Sequence, residues 1–176
     1  PLKHFANVNF GMQLRDRNEF PYDVLVCPNK SQLSKWHKKC LTGRDINRYS
    51  VSYNNRYCYF NLKAKRGGCW NEKAHFAKNK VLVRQVGDIP IAGLDSYGFP
   101  VLNSAFMITP KNNSISTTYI LALVNSKLLS FYWSNKFADK RKTFPKIKGT
   151  YLGLLPTKLP SKEIKHEIEV KVNNIN

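Results

Sequence analysis

Arginines, lysines and aromatic rings are the residues whose types and spacing point to chemistry here, and that chemistry is contact with an anion. The chain carries 29 Lys+Arg against 11 Asp+Glu, a formal net charge of +18. Such an excess repels itself unless a polyanion is meant to sit on it, and nucleic acid is the commonest one. Three stretches, 30–48, 61–80 and 136–148, hold 18 of the 29 basic residues, each with a single acid. All three read as loops or element ends, which could converge along a phosphate backbone. Arg44, Arg48, Lys140, Arg141, Lys142, Lys146 and Lys148 are the candidate backbone contacts. For Arg44 the alternative is a local ion pair with Asp45 that holds the Gly43 turn. Base edges in the major groove favour Arg for guanine and Gln or Asn for adenine, so Arg15, Arg17, Arg66 and Gln85 are candidate readers. Asn103 and Ser104 read as structural. Trp36, Trp70 and the tyrosines at 49, 53, 57 and 59 could stack on bases or fill a core. The core reading suits most of them, with Trp70 the exception because it follows Gly67-Gly68-Cys69 in a basic loop.

Bond-making chemistry has fewer candidates. Cysteines 27, 40, 58 and 69 form no CxxC pair, which argues against a zinc ribbon or finger. His37 and Cys40, completed by Cys58 and Cys69, are the remaining metal option. Small buried hydrophobes in a reducing cytosol are the better reading of these thiols, and they place the chain in the cytoplasm. No Gly-rich phosphate loop, Gly-x-Ser-x-Gly or His-x-Glu occurs. Glu163, Glu167 and Glu169 alternate with Lys165, His166 and Lys171 as a helix surface would. Asp88 and Asp95 read as turn residues. This chain alone is therefore expected to have no catalytic residue, cofactor or metal.

The elements that must position these residues read as α+β, with a mixed or antiparallel sheet. Phe5–Phe10 and Val24–Cys27 suggest strands around the Arg/Asp-rich loop at 15–19. Ser31 can cap a short helix carrying Leu33, Trp36 and His37. Residues 49–60 suggest a hairpin turning at Asn54-Asn55, and 61–79 a loop. Val81–Val86, Ile89–Leu94 and Val101–Ile108 suggest a three-stranded meander. From Ser116 or Thr117, Ile120, Leu123, Val124, Leu128 and Phe131 form one apolar stripe of a long packing helix over 116–134. Ser161 caps a C-terminal helix with Ile164 and Ile168 on one face. Between these helices, KRKTFPKIK at 140–148 reads as a clamp on a phosphate backbone, with Phe144 and Ile147 tucking it onto the body and Tyr151 and Leu152 continuing the packing. The longest apolar run, Tyr119–Val124, is far short of the ~20 residues of a membrane helix, and no signal peptide opens the chain. At 176 residues one domain spanning 1–176 is expected, and Pro1 in place of an initiator Met suggests a piece of a longer protein.

Four runs in order, LTGRDINRY at 41–49, KVLVRQVGDIPIAGLDSYGFPVLNSAFMI at 80–108, YILALVNSKLLSFYW at 119–133 and KTFPKIKGTYLGLLP at 142–156, resemble the TaqI-like C-terminal specificity domain. This is the target recognition domain of adenine-specific DNA methyltransferases, including type IIG restriction-modification enzymes. The resemblance implies double-stranded DNA as partner and a catalytic methyltransferase domain upstream. That domain would carry an Asn/Asp-Pro-Pro-Tyr/Phe motif and bind S-adenosylmethionine; neither the motif nor a cofactor loop is in this sequence. It transfers no base-contact residue. The competing readings are a metal-dependent nuclease or RNA-processing domain, and a protein-interaction module docking through the helix at 116–134.

Overall fold

Lys80-Val-Leu-Val-Arg84 is the hub of the fold. The computed structural model describes residues 1–139 and 143–175. The elements in chain order are β1 (Ala6–Phe10), β2 (Val24–Val26), β3 (His37–Lys39), β4 (Arg56–Tyr59), α1 (Glu72–Phe76), β5 (Lys80–Arg84), β6 (Ala92–Asp95), β7 (Ala105–Pro110), α2 (Thr117–Asn125), α3 (Lys127–Lys136), α4 (Gly149–Gly153) and α5 (Lys162–Asn173). They form an α+β architecture with two antiparallel sheets, β1-β7-β5-β6 and β2-β4-β3.

Strand β5 is covered on both faces, which is why its sequence is a continuous apolar run and not an alternation. Val81 and Val83 pack with Ile120, Leu121, Val124, Leu129 and Trp133 on the helical side, while Leu82 packs with Leu41, Ile46, Val101 and Met107 on the other. A third cluster, Met12, Cys40, Cys58, Phe60 and Leu102, underlies the smaller sheet. Full burial of each such side chain contributes about 1.5–3 kcal/mol.

Several local expectations are corrected. The three strands of the middle region do not run as a meander. β6 pairs with one edge of β5 and β7 with the other, where Val81 opposes both Leu94 and Ile108. The reason is the connection, because Val101 and Leu102 bridge to Leu41 and Met12 before the chain returns as β7. Residues 49–60 are not a hairpin. Tyr49 is taken by the large sheet through Ala92 and Leu94, and only β4 remains, as the centre of the small sheet. Asn29, not Ser31, caps a single turn at Lys30–Gln32, and His37 belongs to β3. The 61–79 stretch contains a turn at Leu62–Ala64 and α1, capped by the side chains of Asn61 and Asn71.

The long helix breaks at Ser126, which closes α2 with its N–H on Leu123 and opens α3 by accepting from Leu129 N–H at 3.1 Å. The break shifts the phase of the apolar stripe. Leu129 and Trp133 turn inward, whereas Leu128 and Phe131 are 73% and 69% exposed. The C-terminal helix forms where expected, with Ser161 accepting from Ile164 N–H, but of its two isoleucines only Ile168 packs on the core, with Val172 buried beside it and Ile164 52% exposed. Its Glu167 and Glu169 pair with Lys171 and Lys165 across one turn.

Lys80 also changes role. It is fully buried against Asp95, and its ammonium donates further to the carbonyls of His75, Ala77 and Phe99 at 2.7, 3.0 and 3.2 Å. Burial pulls its pKa below the usual 10.5 although Asp95 opposes the shift. Asp95 keeps the turn role as well, accepting from the N–H groups of Tyr97 and Gly98. Among the described residues no helix is long and apolar enough to cross a membrane.

Candidate nucleic-acid interface

Gly67 and Gly68, with Gly11 across from them, prepare a polar cleft of the surface. Residues 66–69 are zipped to 10–13 by backbone hydrogen bonds: Gln13 N to Gly67 O at 2.9 Å, Arg66 N to Gln13 O at 3.0 Å and Cys69 N to Phe10 O at 3.0 Å. The strips lie so close that a Cβ on Gly68, at φ +70°, would sit 2.1 Å from the Gly11 carbonyl oxygen. Only glycine satisfies both demands. The zipper sets Arg66 beside Gln13 and opposite the 15–19 loop. These segments, with Leu102 and Asn103, line a cleft of about 420 Å³.

Three of the four candidate base readers therefore converge. Arg15, Arg17 and Arg66 line this cleft together with Gln13, Asp16, Glu19 and Asn103. Arg15 is held: it donates twice to the buried Asp23, at 2.9 and 2.7 Å, and its guanidinium lies 3.8 Å over the Phe20 ring. Such a fork-to-carboxylate pair on an aromatic face fixes the loop. Arg17, Arg66, Gln13 and Asn103 are exposed. The cleft's three guanidiniums face three carboxylates, counting Asp23, so it is rich in donors and acceptors but close to neutral. Gln85 is not part of it. It lies past the end of β5, with its N–H on Ser104 and its carbonyl accepting from Ile147.

The other candidates form a ridge of different character. Lys136, Lys146 and Lys148 surround a small cleft of about 160 Å³ with Phe137, Asp139 and Tyr151. Phe137 and Tyr151 stack at 4.8 Å, and Lys148 reaches 5.2 Å from the Tyr151 centroid. Ile147 and Leu152 are buried and anchor the segment as expected. Phe144 does not tuck in, being 75% exposed with φ +52°. Lys140, Arg141 and Lys142 lie outside the described residues.

Arg44 and Arg48 part company. The Asp45 carboxylate accepts from Thr42 N–H (2.7 Å), Thr42 Oγ1 (2.9 Å), Asn54 Nδ2 (2.7 Å) and Arg56 Nη1 (3.0 Å). Its ion-pair partner is thus Arg56 and not Arg44, which points to solvent. Arg48 donates to the Asn125 carbonyl at the end of α2, where a cation also suits the helix dipole. The Asn125 side chain in turn brackets Ala92, accepting from its N–H at 3.0 Å and donating to its carbonyl at 2.8 Å. The runs at 41–49, 80–108 and 119–133 are thereby stitched to one another as scaffold.

Aromatic and sulfur groups settle into packing roles. Trp70 is not the exposed ring expected of its loop, since it packs 5.6 Å from Phe60 and donates to Gly67 O at 2.9 Å. Trp36 is the more open one, 41% exposed. Cys40 and Cys58 are buried, and burial pushes the Cys58 thiol up, away from reactivity. His37 spends its ring nitrogens on Ser34 and the Tyr22 carbonyl. No cluster of three or more His, Cys, Asp and Glu suited to a metal occurs among the described residues.

Residues 38–157 match the TaqI-like C-terminal specificity domain. The chain belongs to that family. Among solved structures, this specificity domain is similar to the HsdS subunit from Thermoanaerobacter tengcongensis, with TM-score 0.60 and 11% identity. It is also similar to a chain described in work on assembly and conformational transition of the type I R-M system, with TM-score 0.57 and 12% identity. Each likeness covers 99% of this chain and 36% of the other, so the chain spans about a third of their length, and at such identity what is shared is the fold. No curated protein matches the sequence.

Gln13, Asp16, Glu19 and Asn103 are the cleft residues that sequence reasoning missed. The signal available was the Gly67-Gly68 pair beside Arg66, which marks a close backbone approach. Its partner strip cannot be read from the sequence alone.

Proposed function

We propose that this specificity domain reads the target sequence in duplex DNA for an adenine-specific methyltransferase of a restriction-modification system. The observation that carries the reading is the division of its cations. A near-neutral cleft mixes guanidinium, amide and carboxylate groups, as base edges require, because Arg suits guanine, Gln and Asn suit adenine, and Asp and Glu suit the cytosine amino group. A lysine ridge with one acid suits phosphates, which carry no sequence information. Arg17 and Arg66 are the readers, with Gln13 and Asn103 beside them, and Lys146, Lys148 and the exposed Arg44 position the backbone. Lys140, Arg141 and Lys142 extend the ridge by sequence. Extrusion and methylation of the adenine, with S-adenosylmethionine as methyl donor, fall to an upstream catalytic domain in the same cytoplasmic protein. This chain contributes no reacting group.

Titration of a labelled duplex at two salt concentrations tests the reading. Non-specific affinity of about 0.1 mM to 1 µM at physiological salt, falling steeply as salt rises, is expected. Selection from a random duplex pool should enrich one sequence. Incubation with DNA, magnesium and labelled S-adenosylmethionine should yield neither methylated nor cleaved product. Salt-independent affinity, failure to bind at low salt, or product from the chain alone would sink the proposal.

A further inference from the structure

Phe144 is the most exposed large apolar side chain among the described residues, at 75%, and its backbone is in the left-handed region at φ +52°. Bulky residues avoid that conformation, so an aromatic ring held in it and pointed at water calls for a use. The chain just beyond it is tightly fixed. Pro145 has a set φ, and its carbonyl accepts from Gly87 N–H at 3.0 Å. Lys146 N–H donates to the Asp139 carboxylate at 2.9 Å, Ile147 N–H donates to Gln85 O at 2.7 Å, and the Ile147 side chain is 2% exposed. The ring therefore stands on a pinned platform.

Its neighbours identify what it meets. Lys146 and Lys148 follow it on the same segment, and Lys136 shares their cleft. Lysine is depleted from the cores of protein–protein interfaces, so this surface is a poor match for a protein partner. An apolar ring flanked by phosphate-seeking cations matches a wedge that enters between base steps.

Resting on the duplex reading above, we propose that Phe144 inserts between two stacked base pairs of the bound DNA and kinks it there. The backbone from Pro145 to Ile147 is already fixed, so insertion orders little beyond the Phe144 side chain itself, and stacking on the ring offsets the unstacking it causes.

The test uses duplexes enriched by the wild-type protein from a random pool, with 2-aminopurine replacing each adenine in turn and a donor–acceptor dye pair on the ends. Wild type should raise 2-aminopurine fluorescence at one step and shorten the end-to-end distance. Phe144→Asn, which tolerates the left-handed backbone, should abolish both signals and weaken binding roughly tenfold. Phe144→Leu should retain part of the kink, since leucine also serves as a wedge. Unchanged binding and signals in Phe144→Asn would overturn the wedge. So would a wild-type complex that neither unstacks nor bends the duplex. Both results leave the duplex reading standing, whereas failure of wild type to bind any duplex would remove that reading first.

Discussion

The cleft around Arg17 and Arg66 and the ridge around Lys146 and Lys148 both present cations, yet they are built in opposite ways. In the cleft, cations are offset by Asp16, Glu19 and Asp23, and the walls are fixed by a backbone zipper and the Arg15–Asp23 fork. On the ridge, three lysines face one acid, and order comes from Ile147 and the Phe137–Tyr151 stack beneath them. A fixed, near-neutral surface gains little from a phosphate but can reject a wrong base, because mismatched donors and acceptors are left unpaired. A lysine surface cannot discriminate, and it contributes affinity through counterion release. On the proposed function, specificity and affinity would be divided between these two loops of one domain.

The sharpest way to break this comparison is in the cleft. Arg17→Ala with Arg66→Ala should lower affinity for the enriched duplex by roughly 100- to 1,000-fold, at about 1–3 kcal/mol per bidentate base contact. Affinity for an unrelated duplex should fall far less. Equal losses on both duplexes, measured side by side by fluorescence anisotropy, would make the cleft a second phosphate site.

This division was only partly legible in the sequence. The α+β class, β5, a helix start at Ser116 or Thr117, the cap at Ser161, and the buried Ile147 could be read because periodicity and capping are local signals. Strand order was not legible, since the β7 pairing depends on where Val101 and Leu102 dock, a tertiary fact. The helix break was missed because Ser126 reads as an ordinary helix residue until its side chain is seen capping Leu129. Arg15, Arg17 and Arg66 could be named as candidates by side-chain chemistry, but Arg66 could not be named as a neighbour of the other two. Their meeting needs a zipper between strips more than 50 residues apart. The sequence also could not separate a cation that reaches solvent from one that holds the scaffold. Arg44, Arg48 and Lys80 look alike in composition and differ completely in partners.

The zipper gives the next prediction. Gly68→Ala places a methyl into the Gly11 carbonyl and forces an unfavourable φ. It should destabilise the domain by about 2–3 kcal/mol. Thermal melting would show the loss, and sequence discrimination should fall with it while binding to unrelated DNA persists in the folded fraction. A melting point equal to wild type would mean that the strips are not locked together.

Smaller still is the effect on the ridge. Lys146→Ala with Lys148→Ala should weaken enriched and unrelated duplexes alike, by about tenfold at physiological salt, and flatten the salt slope by roughly two. A loss confined to the enriched duplex would assign base reading to the ridge and dissolve the distinction between the two surfaces.

The mildest perturbation is pH, and it should act on one side only. His75 is buried, in edge contact with Phe60 at 5.7 Å, and both its ring nitrogens are committed. Nε2 donates to Cys69 O at 2.7 Å, while Nδ1 accepts from Val101 N–H at 3.1 Å. That pattern needs the neutral ring, because a proton on Nδ1 would face a donor. Burial lowers the pKa below 6.5, with Lys80 adding to the shift and the Cys69 hydrogen bond opposing it. The unfolded chain thus binds the proton more readily than the native one. Stability from this group is fully present above about pH 6.5 and is lost as pH falls through the lower native value. Cys69 and Val101 adjoin the strips that form the cleft, so mild acid should loosen the reader first. The expected outcome between pH 7.5 and 5.5 is a falling melting point and a falling ratio of enriched to unrelated affinity, with binding to unrelated DNA maintained. His75→Gln, which has an amide donor and acceptor but no titration near neutrality, should start less stable and show a flatter acid slope. An acid slope as steep in His75→Gln as in wild type would place the sensitive group elsewhere.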